Sequence, residues 1–251
     1  WEKSAAIKAL MKKENLKTME EVQSYFVKRV EKIIESKGKK MIGWDEILEG
    51  GLAPNAAVMS WRGVAGGIAA AKMGHEVVMS PTTFAYLDYV QGDPLMEPPV
   101  YASLRLKKCY EFEPVPDSVD PKFILGGQAN LWTEQVYNLR QAEYMTWPRA
   151  MAIAEDVWSP KDKKNWNNFV TRVEGQLPHM DAAEIKVAPS MFEPDIQASK
   201  DKDGHLQVTL VPEIEGLDLY YSFDNSYPDN FYPKYSAPVP VPEDATTLRV
   251  V

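Results

Sequence analysis

Residues 57–80 read AVMSWRGVAGGIAAAKMGHEVVMS and contain the alternation that decides the fold. Two short apolar runs, at 57–61 and 76–80, flank a run rich in small residues at 66–74. Short apolar runs bounded by polar residues are typical of buried strands, and small residues suit a helix that packs closely against them. A helix that connects two buried strands makes them parallel neighbours.

The same alternation continues on both sides of this stretch. Helical periodicity covers 3–14 and 19–37, and a strand is predicted at 39–45, another at 123–128 and a helix at 142–157. The predicted strands are apolar on both faces, as parallel strands must be when helices cover them. The chain is therefore predicted to be α/β, with four β/α units that make half of a (β/α)8 TIM barrel and leave two sheet edges open.

The composition changes near Pro189. Beyond it, short alternating strands are separated by turn-forming Asp, Asn and Pro residues, and they are predicted at 205–211, 217–223 and 246–251. This pattern predicts a small all-β sandwich that stops within its last strand. We therefore expect two domains, at 1–188 and at 189–251.

Composition excludes several classes of function. The net charge of −8, without any basic run, argues against binding to nucleic acid or anionic membranes. No apolar run reaches the roughly 18–20 residues of a membrane span. Cys109 is the only cysteine and the three histidines lack ligand spacing, so we expect no disulfide framework, metal or cofactor. The sequence begins at Trp1, without Met or signal peptide, and we expect a fragment of a longer protein.

Aromatic and acidic residues recur at the predicted carboxyl ends of the strands, where barrel enzymes carry their sites. They form four clusters, at 43–46, 60–63, 86–89 and 131–134. Trp rings stack on the apolar faces of a pyranose, and carboxylates accept hydrogen bonds from its hydroxyls. A single such Trp is usually part of a core and a single carboxylate usually a cap, but four clusters at one end of the sheet predict a pocket for a polyhydroxylated ligand.

Two of the clusters place a ring and a carboxylate two residues apart, Tyr86 with Asp88 and Trp132 with Glu134. Residues two apart on an extended chain point to the same side, so each pair is predicted to face one ligand.

Five separated motifs occur in order between residues 41 and 160. They are MIGWDEILEGGL at 41–52, VMSWRG at 58–63, YLD at 86–88, GQANLWTE at 127–134, and WPR at 147–149 continuing to WSP at 158–160. Together they resemble the β-N-acetylhexosaminidases of glycoside hydrolase family 20. The resemblance covers about residues 1–185 and implies the second half of the family's barrel. Residues 190–251 more weakly resemble the fibronectin-III-like domain that is often attached to bacterial members.

The resemblance implies an exo-acting hydrolase that removes terminal β-linked N-acetylglucosamine or N-acetylgalactosamine with retention. The acetamido oxygen of the substrate is the nucleophile and an oxazolinium ion is the intermediate, an exception to the scheme with two carboxylates. By its position in the motifs, Tyr86 would donate its hydroxyl to the acetamido carbonyl and place it for attack.

The resemblance also assigns the residues that hold the sugar. The wall of the pocket would consist of three tryptophans, Trp44, Trp61 and Trp132. Asp88 and Glu134 would accept hydrogen bonds from the O4 and O6 hydroxyls of the terminal sugar and so close the pocket. Arg149 and Glu155, on the following helix, are expected to brace the barrel.

The family's catalytic pair is absent from the sequence. An Asp that orients the acetamido group and a Glu that protonates the leaving oxygen follow each other in a His-x-Gly-Gly-Asp-Glu motif, which is expected just before the position of Trp1. Asp45-Glu46 is an unsuitable substitute, because Met41-Ile42-Gly43-Trp44 precedes it and adjacent strand residues point to opposite sides. We expect this chain alone to be inactive.

Other functions remain open at this point. The same pocket could serve a lectin-like protein without catalysis, and the C-terminal β domain could bind polysaccharide, although a bracing role is favoured. The expected partners are glycans that end in N-acetylglucosamine or N-acetylgalactosamine, and open barrel edges could allow self-association. The fragment does not determine its location, but bacterial hydrolases of this type are usually periplasmic or extracellular.

Overall fold

The structure, a computed structural model, describes residues 1–94, 97 and 99–251 of the chain. These residues fall into two compact units, each assembled from three segments. The first consists of Trp1–Tyr86, Phe112–Asn130 and Asp156–Trp158. The second consists of Leu87–Glu111, Leu131–Glu155 and Ser159–Val251. The predicted division at 188/189 stays a prediction.

A four-stranded parallel sheet forms the centre of the first unit. Its strands are β1 (Ile42–Trp44), β2 (Ala57–Ser60), β3 (Val77–Met79) and β4 (Ile124–Gly127). They are adjacent in chain order, β1-β2-β3-β4. Doubly wound sheets reverse their strand order, whereas barrels keep it, so this sheet is of the barrel type. All four predicted strands are confirmed, each shorter than predicted.

Four helices belong to the first unit: α1 (Ala5–Glu14), α2 (Met19–Glu35), α3 (Ala65–Lys72) and α4 (Thr82–Ala85). The first three confirm the predicted helices, and α4 was not predicted. Thr18 caps the N-terminus of α2, because its hydroxyl accepts the N–H of Glu21 at 3.2 Å. Its C-terminal turn ends at Gly38, which has a φ of 66° that favours glycine.

Small residues allow α3 to lie directly on the sheet. A methyl group at Gly67 would lie 2.5 Å from Sδ of Met79, 3.0 Å from Cβ of Ser60 and 3.1 Å from Cγ1 of Val77. The backbone N–H of Gly67 also donates to the Ser60 hydroxyl at 2.8 Å. Glycine at this position therefore sets the distance between α3 and strands β2 and β3.

The central and outer strands differ in burial. Val58 on β2 and Val77 on β3 are fully buried, whereas Ile42 on β1 and Leu125 on β4 are 46% and 57% exposed. The expectation that each strand is covered on both faces therefore fails for the two outer strands. Each of these has a strand neighbour on one side only in the described sheet, so its apolar side chains are only partly covered.

The second unit contains α5 (Leu106–Tyr110), α6 (Leu139–Thr146), the first part of α7 (Arg149–Trp158) and α8 (Trp166–Ala182). The single helix predicted at 142–157 is wrong. Pro148, preceded by a cis peptide bond, separates α6 from α7, because proline lacks an N–H and disfavours helical backbone before it. None of the helices in the described ranges is both long enough and apolar enough to cross a membrane.

The last part of the chain is antiparallel β-structure. Its strands are β5 (Asp195–Lys200), β6 (Leu206–Val211), β7 (Tyr221–Ser222), β8 (Val239–Pro240) and β9 (Arg249–Val250). One sheet has the order β5-β6-β8, and β7 pairs with β9. β5 and β8 were not predicted, and the arrangement as a sandwich stays a prediction.

Glu213 connects this β-structure to α5 and α8. Its Oε1 accepts the backbone N–H of Lys107 at 3.0 Å and lies 3.6 Å from Nε of Arg105. Its backbone oxygen accepts the indole N–H of Trp166 at 3.0 Å. Burial raises the pKa of this carboxyl group. These contacts favour a bracing role for the segment after residue 189.

We predict that Gly67→Ala destabilises the chain by about 1–3 kcal/mol, because the added methyl group overpacks the contact between α3 and the sheet. Gly175→Ala, in the middle of α8, is the matched control, since a methyl group there meets nothing within 4 Å. It should stabilise by up to about 1 kcal/mol through helix propensity. Urea unfolding followed by circular dichroism measures both, and equal stability of Gly67→Ala and wild type would contradict the packing argument.

Candidate active site

Trp61 lies directly after β2 and is fixed at both its ring and its backbone. Its ring stacks on that of Tyr86, with centroids 6.3 Å apart and an interplanar angle of 26°. Its indole N–H donates to the carboxylate of Glu46, with N–O distances of 2.9 and 3.1 Å. A ring held in this way loses little conformational entropy when a ligand stacks on it.

Asp45 holds the backbone of the same segment. Its side chain is 1% exposed in relative terms, and Oδ2 accepts the N–H groups of Trp61 and Arg62 at 3.0 and 3.2 Å. Oδ1 forms an ion pair of 2.5 Å with Nε of Arg62. The pKa of Arg62 is raised by its hydrogen bonds to Glu49 and Asp45. Asp45 therefore ties the carboxyl end of β1 to that of β2.

This arrangement corrects one expectation about Asp45-Glu46. The two residues were expected to point to opposite sides of a strand, but they begin a 3-10 turn that spans Asp45–Leu48. Both carboxylates contact Trp61-Arg62 as a result. Gly66 packs against the Asp45 side chain, because a methyl group there would lie 3.0 Å from Oδ2 of Asp45. The pair thus has a positioning role, and its rejection as the catalytic pair stays a prediction.

Tyr86 was predicted to follow a strand directly, but in the structure it does not. Helix α4 lies between β3 and this residue, whose side chain is 4% exposed. A parallel bridge joins Tyr86 to Asn130, and the Asn130 N–H donates to Ala85 O at 2.8 Å. The Asn130 amide in turn donates to the Ser80 hydroxyl at 2.6 Å. Asn130 positions Tyr86, a role that no pattern in the sequence indicated.

Trp44, the last of the sugar-wall candidates in the first unit, ends β1 and is partly buried. Its Cα pairs in register with that of Met59 on β2. The first unit therefore brings Trp61 and Tyr86 into contact and places Trp44 at the end of the neighbouring strand.

Asp88 is the central acidic residue of the second unit. It accepts the backbone N–H of Trp132, while its Oδ1 is buried without a hydrogen-bond partner among the described residues. Burial raises the pKa of this carboxyl group, the positive charge of Arg149 lowers it, and the negative charge of Glu134 raises it. Asp88 thus lies close to Trp132 and within electrostatic reach of Glu134.

The backbone that carries these residues is not extended as expected. Leu87-Asp88 and Glu134-Gln135 lie in turns, so the rule that alternate residues share a side does not apply to either pair. Trp132 is 43% exposed and Glu134 is also exposed. Asp88 and Trp132 are brought together instead by a backbone N–H, an interaction that spacing along the chain cannot reveal.

Arg149 and Glu155 have the bracing contacts that were expected of them. The Arg149 side chain is fully buried and donates to backbone carbonyls. Glu155 accepts the hydroxyl of Tyr110 at 2.8 Å and forms an ion pair with Arg172. Burial and the bond to Glu155 raise the pKa of Tyr110 to about 12, so its hydroxyl stays protonated as a donor.

We predict that Asp88→Asn gains stability relative to the wild-type chain as the pH rises. The pKa of Asp88 is raised in the folded state, so the folded state binds this proton more tightly than the unfolded state. The wild-type contribution therefore falls as the pH rises from the unfolded pKa, near 3.8, through the higher folded pKa. Urea unfolding between about pH 4 and 7 measures the difference.

The exposed Asp244→Asn is the control for that experiment, because it removes the same charge from the surface. It should leave the pH dependence nearly unchanged. A loss of stability in Asp88→Asn that increases toward neutral pH would contradict the prediction.

Comparison with known proteins extends these observations. Residues 1–161 match the family model described as glycosyl hydrolase family 20, catalytic domain. A β-hexosaminidase of Porphyromonas gingivalis is 38% identical over 249 residues, which cover 95% of this chain and 32% of that protein. A β-hexosaminidase of Vibrio furnissii is 35% identical over 162 residues, which cover 61% of this chain and 26% of that protein. The match thus spans only 32% of the length of the first relative and 26% of the length of the second.

Solved structures agree with the sequence comparison. The family 20 exo-β-N-acetylglucosaminidase of Vibrio harveyi, in complex with N-acetylglucosamine, matches this chain with a TM-score of 0.70 at 32% identity. The match covers 76% of this chain and 31% of the Vibrio harveyi chain. The N-acetyl-β-hexosaminidase of Streptomyces plicatus has a TM-score of 0.61 at 27% identity and covers 66% of this chain and 36% of its own. The parallel sheet and its helices thus belong to a TIM-barrel-type domain, and the chain is a member of glycosyl hydrolase family 20.

Proposed function

We propose that this chain belongs to an exo-acting β-N-acetylhexosaminidase, which hydrolyses terminal β-linked N-acetylhexosamine with retention through an oxazolinium intermediate. The observation that carries the proposal is the stacked pair of Trp61 and Tyr86, since Glu46 fixes the indole while Tyr86 is buried against it. A rigid aromatic wall beside a phenol hydroxyl suits an acetamido group, which has an apolar methyl and a carbonyl acceptor.

The proposed roles follow the family's pattern residue by residue. Tyr86 donates to the acetamido carbonyl and orients it toward the anomeric carbon. The sugar is enclosed by three tryptophans, Trp44, Trp61 and Trp132. Asp88 and Glu134 accept hydrogen bonds from the terminal hydroxyls. The buried Oδ1 of Asp88, which has no hydrogen-bond partner within the described ranges, supports this role, because a buried carboxylate oxygen gains strongly from such a donor.

The domain organisation is proposed at the same level. Residues 1–188 would form the second half of the (β/α)8 barrel, and residues 189–251 a fibronectin-III-like sandwich. The four-stranded parallel sheet and the antiparallel strands after residue 195 support this division.

Self-association through the outer strands is also proposed, since Ile42 and Leu125 are exposed there. Dimers on size-exclusion chromatography would support it.

A sugar-binding role without catalysis is the second candidate, because the chain contains no His-x-Gly-Gly-Asp-Glu motif. Under either candidate this chain alone should not release p-nitrophenol from p-nitrophenyl N-acetylglucosaminide, since it lacks the acid that protonates the leaving oxygen. Heat-denatured chain is the blank for that assay. Turnover that scales with chain concentration would contradict the assignment of the missing pair.

We predict that Tyr86→Phe weakens binding of N-acetylglucosamine by about tenfold, because one hydrogen bond to the acetamido carbonyl is lost while the ring against Trp61 remains. Isothermal titration calorimetry on the 251-residue chain measures the affinity. Glucose, which has no acetamido group, should bind both forms equally.

The exposed Tyr227→Phe is the matched control, since it removes the same hydroxyl from the surface. It should bind N-acetylglucosamine like the wild type. Unchanged binding of N-acetylglucosamine by Tyr86→Phe would refute the role of the Tyr86 hydroxyl.

A further inference from the structure

Arg149 is a buried cation whose guanidinium binds the backbone on both sides of Asp88. Its side chain is 0% exposed and lies at the start of α7. Nη2 donates to the carbonyl of Leu87, and Nη1 donates to the carbonyl of Tyr89 at 2.9 Å. These are the residues immediately before and after Asp88, so one rigid guanidinium grips the chain on both sides of the carboxylate.

The same guanidinium connects this segment to two other parts of the second unit. Nη1 donates to Leu104 O at 2.9 Å, and Nη2 donates to Met145 O at 2.6 Å on α6. Leu104 N–H donates back to Val90 O at 2.7 Å. The turn that carries Asp88 is therefore held from several directions, although it belongs to no strand.

The use of a charged side chain here needs a reason beyond bracing. Removing an arginine from water is costly, and burial lowers the pKa of Arg149. Its hydrogen bonds go to four neutral carbonyls, so no carboxylate in direct contact cancels its charge among the described residues. Asp88 and Glu97 are carboxylates that interact electrostatically with the Arg149 guanidinium. For Asp88 it opposes both burial and the charge of Glu134.

We infer that Arg149 is a positioning residue for Asp88: by gripping the carbonyls on both sides, it fixes where the carboxylate stands, and its charge keeps that carboxylate able to accept hydrogen bonds. The inference rests on the proposed function in so far as Asp88 receives a sugar hydroxyl. Lysine could supply the charge but not the fork that reaches both carbonyls, and methionine could supply neither.

The test separates charge from geometry by NMR on the 251-residue chain. The carboxyl carbon of Asp88, assigned with Asp88→Asn, reports its titration, and the amide proton of Trp132 reports the hydrogen bond to that carboxylate. Arg149→Met should raise the pKa of Asp88 further above its ordinary value. Arg149→Lys should keep that pKa near the wild-type value, but shift the Trp132 amide signal upfield as its hydrogen bond weakens.

Arg105→Lys is the matched control. Arg105 also donates to two backbone carbonyls of the second unit, those of Ser190 and Glu193, but not to the segment around Asp88. This variant should lose stability and leave both NMR signals in place. An unchanged Asp88 titration in Arg149→Met, or an unchanged Trp132 signal in Arg149→Lys, would overturn the inference. If Arg149→Met does not fold, Arg149→Lys against Arg105→Lys decides by itself.

Sugar binding distinguishes this inference from the proposed function. Arg149→Lys should bind N-acetylglucosamine about tenfold more weakly than wild type in calorimetry, whereas Arg105→Lys should match wild type. If the wild-type chain binds no sugar while both NMR results are as expected, the proposed function fails and the role of Arg149 stands. If sugar binding is normal and the NMR signals do not respond, Arg149 is only a structural residue.

Discussion

The arrangement of the first unit depends on one interaction. The carboxylate of Asp45 binds the backbone of the loop that follows the next strand, β2. Three-residue and four-residue strands form few ladder hydrogen bonds, so their ends need other support. Asp45 supplies it by accepting two N–H groups and pairing with Arg62. Without this buried anion, the segment that carries Trp61 would have no fixed height above the sheet, and its stacking on Tyr86 would lose its geometry.

The second unit uses the opposite charge for the same purpose. Arg149 is a buried cation that binds carbonyl oxygens, as Asp45 is a buried anion that binds N–H groups. In both cases a full charge holds the backbone of a loop that belongs to no regular element. A charged group binds such dipoles about twice as strongly as a neutral one. This strength offsets part of the desolvation that burial costs.

The sequence predicted the parts of the structure that local pattern controls. The strands at β1 to β4 and the helices at α1 to α3 follow from apolar runs and periodicity, and the family's motifs supplied the six candidate residues. The break at Pro148 was predictable from the chemistry of proline alone and was missed. The 3-10 turn at Asp45 was missed for another reason. The same short apolar run can precede either a further strand residue or a 3-10 turn. Contacts such as those of Arg149, with carbonyls up to 62 residues away, have no local signature.

Gly66 has a consequence for anyone who would redesign this half of the site. It has no side chain because Asp45 occupies that space, and Asp45 is there because Trp61 and Arg62 need its oxygens. These four positions depend on one another and cannot be varied independently. A loop graft between members of this family that exchanges the Trp61 segment alone would separate the block. A graft that starts before β1 and ends after α3 would transfer it whole.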